Sequence, residues 1–364
     1  MRRIIALAAV FALVPAVFSY LLMLVSPSDS SLGIRSVEWL RSHGARGLVN
    51  TVESAYYSLN APSTGGPALR ALPHQGNVAP PDLTAPRTPT PTAYHPARIA
   101  PVISPALPGE GVWRPTFAGG APRPPVLVTT FRPDPNYPQM VAGVAWIDTS
   151  RTWVQLYPGR LEPSVTLPRG PMEVPPGSRS RLLATFNSAF KLTDSGGGFA
   201  LGGQTHAPLK PGMATLIGYS NGRVDVQGWS GGPVAPEGVA YARQNLPLIV
   251  SGGRPNPNLS DGPEWGATLG NAVRVWRSGV GVDAHGDLIY AAADNQTVGS
   301  LAEILIRAGA IRAMELDINS YWVTFISYAQ PGAGQSSLLL PGMTRPSERY
   351  LTPDDRDFFA VYLR

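Results

Sequence analysis

The 364-residue chain contains no cysteine. That excludes a disulfide framework, a zinc–thiolate site and a thiol nucleophile. Histidine is scarce and scattered, at His43, His74, His95, His206 and His285, so a histidine-built metal centre has no basis. The glycine runs are not followed by Gly-Lys-Ser/Thr, so no P-loop is present. Asp283, Asp294 and Asp317 do not fall in a regular oxygen-ligand loop, which leaves a calcium site without a pattern. Neither a metal nor a cofactor is expected. No Lys/Arg run occurs and the net charge is only +5, which argues against nucleic acid and suits anionic envelope polymers at least as well. What is abundant is glycine and proline, 39 of each and unevenly spread, about twice the usual share. Together with 43% hydrophobic residues, this predicts a loop-rich β domain with a sizeable core plus a linker.

Four regions follow. Residues 1–25 open with Arg2 and Arg3 and continue as Ile4–Val25, 22 mostly apolar residues. As a helix this run would be about 33 Å long, close to a bilayer core of roughly 30 Å. The cationic start predicts an amino end in the cytoplasm. Signal-peptide apolar regions are shorter and end at an Ala-x-Ala-like site, which Ser26–Ser30 lacks. The expectation is therefore an uncleaved, single-pass membrane anchor, with everything after it extracytoplasmic. Residues 26–60 predict an amphipathic helix over Ser36–Leu59, or two short helices, since Gly44 and Gly47 weaken the middle. Residues 61–110 are rich in Pro, Ala and Thr and read as an extended linker. Residues 111–364 form the globular part.

Within it, Val126–Phe131, Val141–Ile147, Thr152–Tyr157, Arg181–Thr185, Met213–Tyr219, Arg223–Val226 and Asp357–Leu363 read as strands. Asn221-Gly222 marks a hairpin turn. Asp194–His206, with two glycine clusters, reads as a mobile flap or a bulged hairpin. The densest organisation is Arg277–Phe325. Two strands, Ser278–Val282 and Leu288–Ala293, flank a turn at Asp283–Gly286. A helix follows over Val298–Arg307, with Gly309 at its end. Then Ala313–Asn319 alternates: Met314, Leu316 and Ile318 toward the core, Glu315, Asp317 and Asn319 on the other face, spaced about 6.6 Å. Such a row is either a solvated strand face or a carboxylate pair in a cleft. The fold class is α+β, mostly antiparallel sheets with few helices.

Arg277, Gly281, Asp294, Leu301, Gly309 and Asp317 stand where the phosphodiester glycosidase domain family places its Arg, hairpin Gly, turn Asp, helix start, helix end and strand-terminal Asp. The chain resembles that family over about Thr185–Tyr328. A second match is Phe186–Lys191, similar to the family's Asn-Gly-Gly-Phe-Phe: Asn187 and Phe190 are kept and Ser188-Ala189 replaces the glycines. In contrast, Ile318–Tyr321 replaces the family's Gly-Gly-Gly-Ser. The resemblance implies hydrolysis between a sugar's anomeric carbon and a phosphodiester in an envelope or exopolysaccharide glycan. A carboxylate must then face an oxocarbenium-like transition state, and cationic donors must meet the phosphate. Asp317 is the first candidate and Glu315 the second. Arg277, Arg243, Lys191 and His206 are candidates for phosphate, Asn187, Asp294 and Asn319 for sugar hydroxyls and polar contacts, and Trp322 for a ring face. Two other readings stay open: a non-catalytic glycan-binding envelope protein, and a glycosidase acting on neutral polysaccharide.

Overall fold

The protein is described from a computed structural model, which describes residues 2–59, 62–73, 94–116, 124–260, 262–266, 273–328 and 334–364. The chain divides into two units, one over Met1–Ala61 and one over Pro62–Thr268 and Val273–Arg364.

The first unit is helical: α1 (Arg2–Val25), α2 (Leu32–Ser42) and α3 (Arg46–Leu59). Of the two sequence-based options for residues 36–59, two short helices is the one observed. The break falls at Gly44, whose φ of +88° suits glycine far better than other residues. Trp39 Nε1 donates to Ser19 Oγ at 3.1 Å, and the Tyr20 and Ser36 hydroxyls lie 2.8 Å apart. Among the described residues no helix is long and apolar enough to cross a membrane, so the anchor expected over residues 4–25 is not shown by the structure.

Among the described residues the second unit holds three sheets, and the strand pairings are antiparallel. The strands that carry the site are, in chain order, β1 (Leu182–Asn187), β2 (Val239–Gln244), β3 (Val275–Val282), β4 (Leu288–Gln296), β5 (Arg312–Glu315), β6 (Phe325–Tyr328) and β7 (Phe358–Leu363). An eight-stranded sheet contains the neighbours β4, β3 and β5. A five-stranded sheet has β2 at its centre, and a second five-stranded sheet contains β6, β1 and β7 in that order. A one-turn helix, α4 (Leu192–Ser195), follows β1, and α5 (Val298–Arg307) follows β4.

Alternation explains the layering. Val280 and Met314 face a core shared with Leu216 and Val226 of one sheet and Phe186, Phe325 and Phe359 of the other. The opposite face of the large sheet receives Leu301, Ile304 and Leu305 of α5, packed with Val144, Ile289 and Ala313. The helix is started by a reciprocal Thr297–Ser300 capping box. It lies close to β3 because β3 is glycine there: a Cβ on Gly279 would sit 3.0 Å from Leu305. Of the two readings of Asp194–His206, a mobile flap or a bulged hairpin, the bulged hairpin is observed: Phe199–Leu201 pairs with Gln204–Ala207 at the edge of its sheet.

Two boundaries differ from the sequence reading. First, β5 stops at Glu315, although ladder bonds run on through Ser278 to Leu316 and Asp317. Second, residues 94–110, read as linker, pack as part of the β unit, whereas residues 74–93 lie outside the described residues. Ile99 is 1% exposed. The buried Glu110 carboxylate accepts from Arg132 Nε at 3.1 Å and Nη2 at 2.9 Å, and from the N–H groups of Arg132 and Leu107. Composition misled here because a few anchors suffice to order a proline-rich segment. Glu110→Ala leaves Arg132 buried without its partner, a loss of about 3–5 kcal/mol. We predict a lower unfolding midpoint and new proteolytic cleavage within 94–110; unchanged protease resistance would contradict the assignment.

Candidate active site

Strand parity sends Met314 and Leu316 into the shared core and turns Glu315 and Asp317 the other way. Both acids are buried, at 0% and 4% exposure, and both meet arginine. Glu315 Oε1 accepts from Arg277 Nη1 at 2.5 Å, while its Oε2 has no hydrogen-bond partner among the described residues. Arg277 is further held by the carbonyls of Gln296 and Trp265. Asp317 Oδ2 accepts from Arg356 Nη2 at 3.0 Å, and its Oδ1 accepts from the N–H of Asn319 at 2.9 Å. The Ser278 hydroxyl holds the Asp317 backbone, donating to its carbonyl and accepting from its N–H, both at 3.1 Å.

Arg356 lies just ahead of β7 and brings a run of charges with it. Asp354 binds Arg349 through two N–H donors, at 2.6 and 3.1 Å, and lies 3.8 Å from Arg345. Asp357 accepts from Arg243 Nε at 2.8 Å. The segment after β1 wraps this network: Ala189 O accepts from Arg356, Phe190 O from Arg243, and Leu192 N–H donates to Glu162. Trp322, 4% exposed, is ringed by guanidinium groups, with Arg356, Arg349 and Arg345 at 5.0, 5.2 and 5.6 Å from its ring.

Burial dominates the electrostatics. It raises the Asp317 carboxyl above its ordinary value, with Arg356 opposing. It pushes Glu315 up to about 7, against the pull of Arg277 and helped by Asp317. It raises Glu162 too, with Arg356 opposing. At Asp354 burial is outweighed by Arg349 and Arg345, and the carboxyl is held below its usual range. The result is one buried network of alternating acids and arginines in which several carboxylates retain appreciable proton affinity. The Ser188 hydroxyl and Asp357 Oδ1 have no hydrogen-bond partner among the described residues. Such buried atoms ask for water or a ligand.

The sequence-predicted residues divide accordingly. Glu315, Asp317 and Arg277 are brought together. Arg243 joins the network, but fully buried, its donors engaged by Asp357, Gln244 O and Phe190 O; it supports the site rather than facing a phosphate. Asn187 is likewise occupied. It donates to Ser188 O and Ser278 Oγ and accepts from Tyr290 and Thr324, so it ties two sheets together and positions Ser278 beneath Asp317. Trp322 stacks on arginines in place of an open ring face. Asn319 Oδ1 accepts from the Tyr321 N–H, closing a turn. Lys191 is half-buried and stands directly ahead of α4. Asp294 sits at the irregular end of β4, where Oδ1 accepts from the Asn295 N–H. His206 lies on the bulged hairpin, 6.3 Å ring to ring from Phe199. Neither Asp294 nor His206 joins the network through a hydrogen bond among the described residues. The sequence reading missed Arg345, Arg349, Asp354, Arg356 and Glu162. The sequence carries little signal for them: Asp354–Asp357 sets four charges directly before the apolar strand β7, a pattern that also suits a solvated loop. Among the described residues no cluster of His, Asp and Glu is arranged to hold a metal ion.

A buried carboxylate held by guanidinium groups is the kind of centre that glycosyl and phosphoryl hydrolases use. Residues 205–317 match the phosphodiester glycosidase family, and the resemblance read from the sequence is to that family. Among curated proteins, none matches the chain. Several solved structures are similar, three of which follow. The catalytic domain of zebrafish N-acetylglucosamine-1-phosphodiester alpha-N-acetylglucosaminidase, auto-inhibited by its pro-peptide, shares 16% identity over 68% of this chain and 87% of that one, with a TM-score of 0.43. A hypothetical protein from Synechocystis shares 14% over 67% and 64%, TM-score 0.34. A protein of Burkholderia pseudomallei described as a putative exported protein shares 12% over 61% and 74%, TM-score 0.33.

Glu315 also gives the fold a pH signature. Its carboxyl shifts from 4.5 to about 7 on folding, so it contributes stability that is fully present below about pH 4.5 and lost as pH rises through 7. We predict that Glu315→Gln, which does not titrate, shows a smaller fall in unfolding midpoint between pH 4.5 and 7.5 than the parent protein. Equal falls would contradict the assignment.

Proposed function

We propose that the protein is a hydrolase of glycosyl phosphodiesters, cleaving the bond between an anomeric carbon and a phosphate oxygen in an envelope or exopolysaccharide glycan. The observation that carries this is the buried Asp317 carboxylate, held by Arg356 inside a group of arginines around Trp322. The family match over 205–317 supports the same chemistry. A phosphodiester leaves as a stabilised monoester anion, so cationic donors matter more than a strong general acid. In this reading Arg345 and Arg356 meet that charge, and Arg349, held by Asp354, Trp322 O and Thr324 Oγ1, adds a fixed positive centre. As the bond between C1 and the phosphate oxygen breaks, the electron pair goes to phosphate. Asp317 then faces the oxocarbenium-like carbon, either taking a proton from the incoming water or attacking it directly. Its raised proton affinity makes it a stronger base than an ordinary carboxylate.

Attachment to the cell membrane through residues 4–25, with the β unit outside the cytoplasm, belongs to this proposal and rests on the amino-terminal sequence. A glycan-binding role without turnover is the second reading. It is favoured by Ile318, which occupies a position where the family has glycine: its side chain lies so near Gly266 that a Cβ there would sit 2.6 Å from it.

Asp317→Asn is expected to keep the fold and lose at least about 100-fold in release of free sugar from a glycosyl phosphodiester. The parent enzyme is expected to leave the corresponding neutral glycoside uncleaved, and the acid limb of its pH–rate profile is expected above pH 3.8, because burial raises Asp317. A folded Asp317→Asn protein with full rate would remove the central residue. A folded parent protein that binds the diester and releases no sugar would select the binding role.

A further inference from the structure

A half-open cavity lies on the outer face of the sheet that contains β7. Thr152–Tyr157 is the edge strand of that sheet, and its pattern is split: Val154 and Leu156 enter the core, while Trp153 and Gln155 point outward. Trp153 pairs with Tyr362 of β7 and Gln155 with Ala360. Around them is a half-open cavity of about 410 Å³, lined by Trp153, Gln155, Ser178, Arg181, Tyr362 and Arg364. That volume falls within the range of small-molecule sites.

Its lining has a definite character. None of the lining side chains is acidic, and two are arginine. Trp153 keeps 37% of its surface exposed on an edge strand, yet it is not loose. Gly222, at φ +87°, comes so close that a Cβ there would lie 2.7 Å from the indole. Arg364 lies 5.8 Å from the ring centroid and is fixed by donating to Thr152 O at 2.8 Å and Gly222 O at 3.0 Å. An immobilised indole offers a flat apolar surface with little conformational entropy left to lose. Beside it stand a fixed guanidinium, a second one on Arg181, and the neutral hydrogen-bonding groups of Gln155 and Ser178. An apolar plate, neutral hydrogen-bonding groups and two cations match a sugar ring that carries a carboxylate or phosphate.

From this geometry we infer that the cavity binds an anionic segment of a glycan, apart from the candidate active site. Asp357 immediately precedes β7 and Tyr362 lies near its far end, five residues or roughly 16 Å along the strand. A polymer held in the cavity with another part of it at Asp317 would join the two places into one substrate path. That last step rests on the proposed hydrolase reading; binding at the cavity does not.

The test is equilibrium binding to the full chain by calorimetry, with three probes of equal length: a uronic-acid trisaccharide, a phosphorylated trisaccharide and a neutral trisaccharide. At least one anionic probe is expected to bind at least tenfold more tightly than the neutral one, and which one does so tells carboxylate from phosphate. Trp153→Ala and Arg181→Glu are each expected to weaken that binding at least tenfold; Arg181 is exposed, so its variant guards against a folding defect in the first. Asp317→Asn is expected to bind the winning probe as the parent does, which separates this site from the catalytic reading. Equal affinity for charged and neutral probes, or binding unaffected by both cavity variants, would overturn the inference.

Discussion

The ion pair between Asp317 and Arg356 is the constraint around which the site is built. Asp317 ends the β5 segment of the large sheet, and Arg356 precedes β7 of another, so one hydrogen bond of 3.0 Å joins the ends of two sheets. Burying two charges is costly, and a buried pair is often no more stabilising than apolar residues of the same volume. Core stability alone gives no reason for such a pair here, since the surrounding cluster of phenylalanines and aliphatic residues is already extensive. The neighbours of the pair add to the cost. Glu162, Asp357 and Arg243 on one side and Asp354, Arg349 and Arg345 on the other form a connected network in a region that water barely reaches. A network of this kind is expensive to assemble and difficult to disturb in part, which suits a site that must hold a carboxylate in one orientation.

Much of the scaffold was legible from the residues. Val126–Phe131, Thr152–Tyr157 and α5 have the limits that periodicity and turn residues indicate, because each is an uninterrupted run with a clear boundary. The parity of β5 was also readable, and with it the separation of Glu315 and Asp317 from the core. Which groups stand opposite those acids was not. Arg356 is 39 positions away from Asp317 and belongs to a different sheet; periodicity describes one element at a time and says nothing about what faces it. Asn187 and Arg243 were singled out for substrate, yet their hydrogen-bonding capacity is consumed within the protein. The linker boundary was lost for a related reason: residues 94–110 have the composition of a flexible tether, but Ile99 and Glu110 insert into the β unit.

The loop after Asp317 separates this chain from the glycine-rich pattern it otherwise resembles. Ile318 reaches toward Gly266 and Phe190, Asn319 closes a turn onto Tyr321, and Tyr321 packs edge-on to Trp322 at 4.9 Å. Side chains therefore occupy space that glycines would leave open.

The most direct measurement is hydrolysis of a glycosyl phosphodiester in water enriched in oxygen-18, with mass analysis of both products. Attack at the anomeric carbon opposite a leaving phosphate predicts the label in the released sugar and none in the phosphate monoester. Label in the phosphate would mean that phosphorus is attacked and that Asp317 and its arginines do not act on an anomeric carbon.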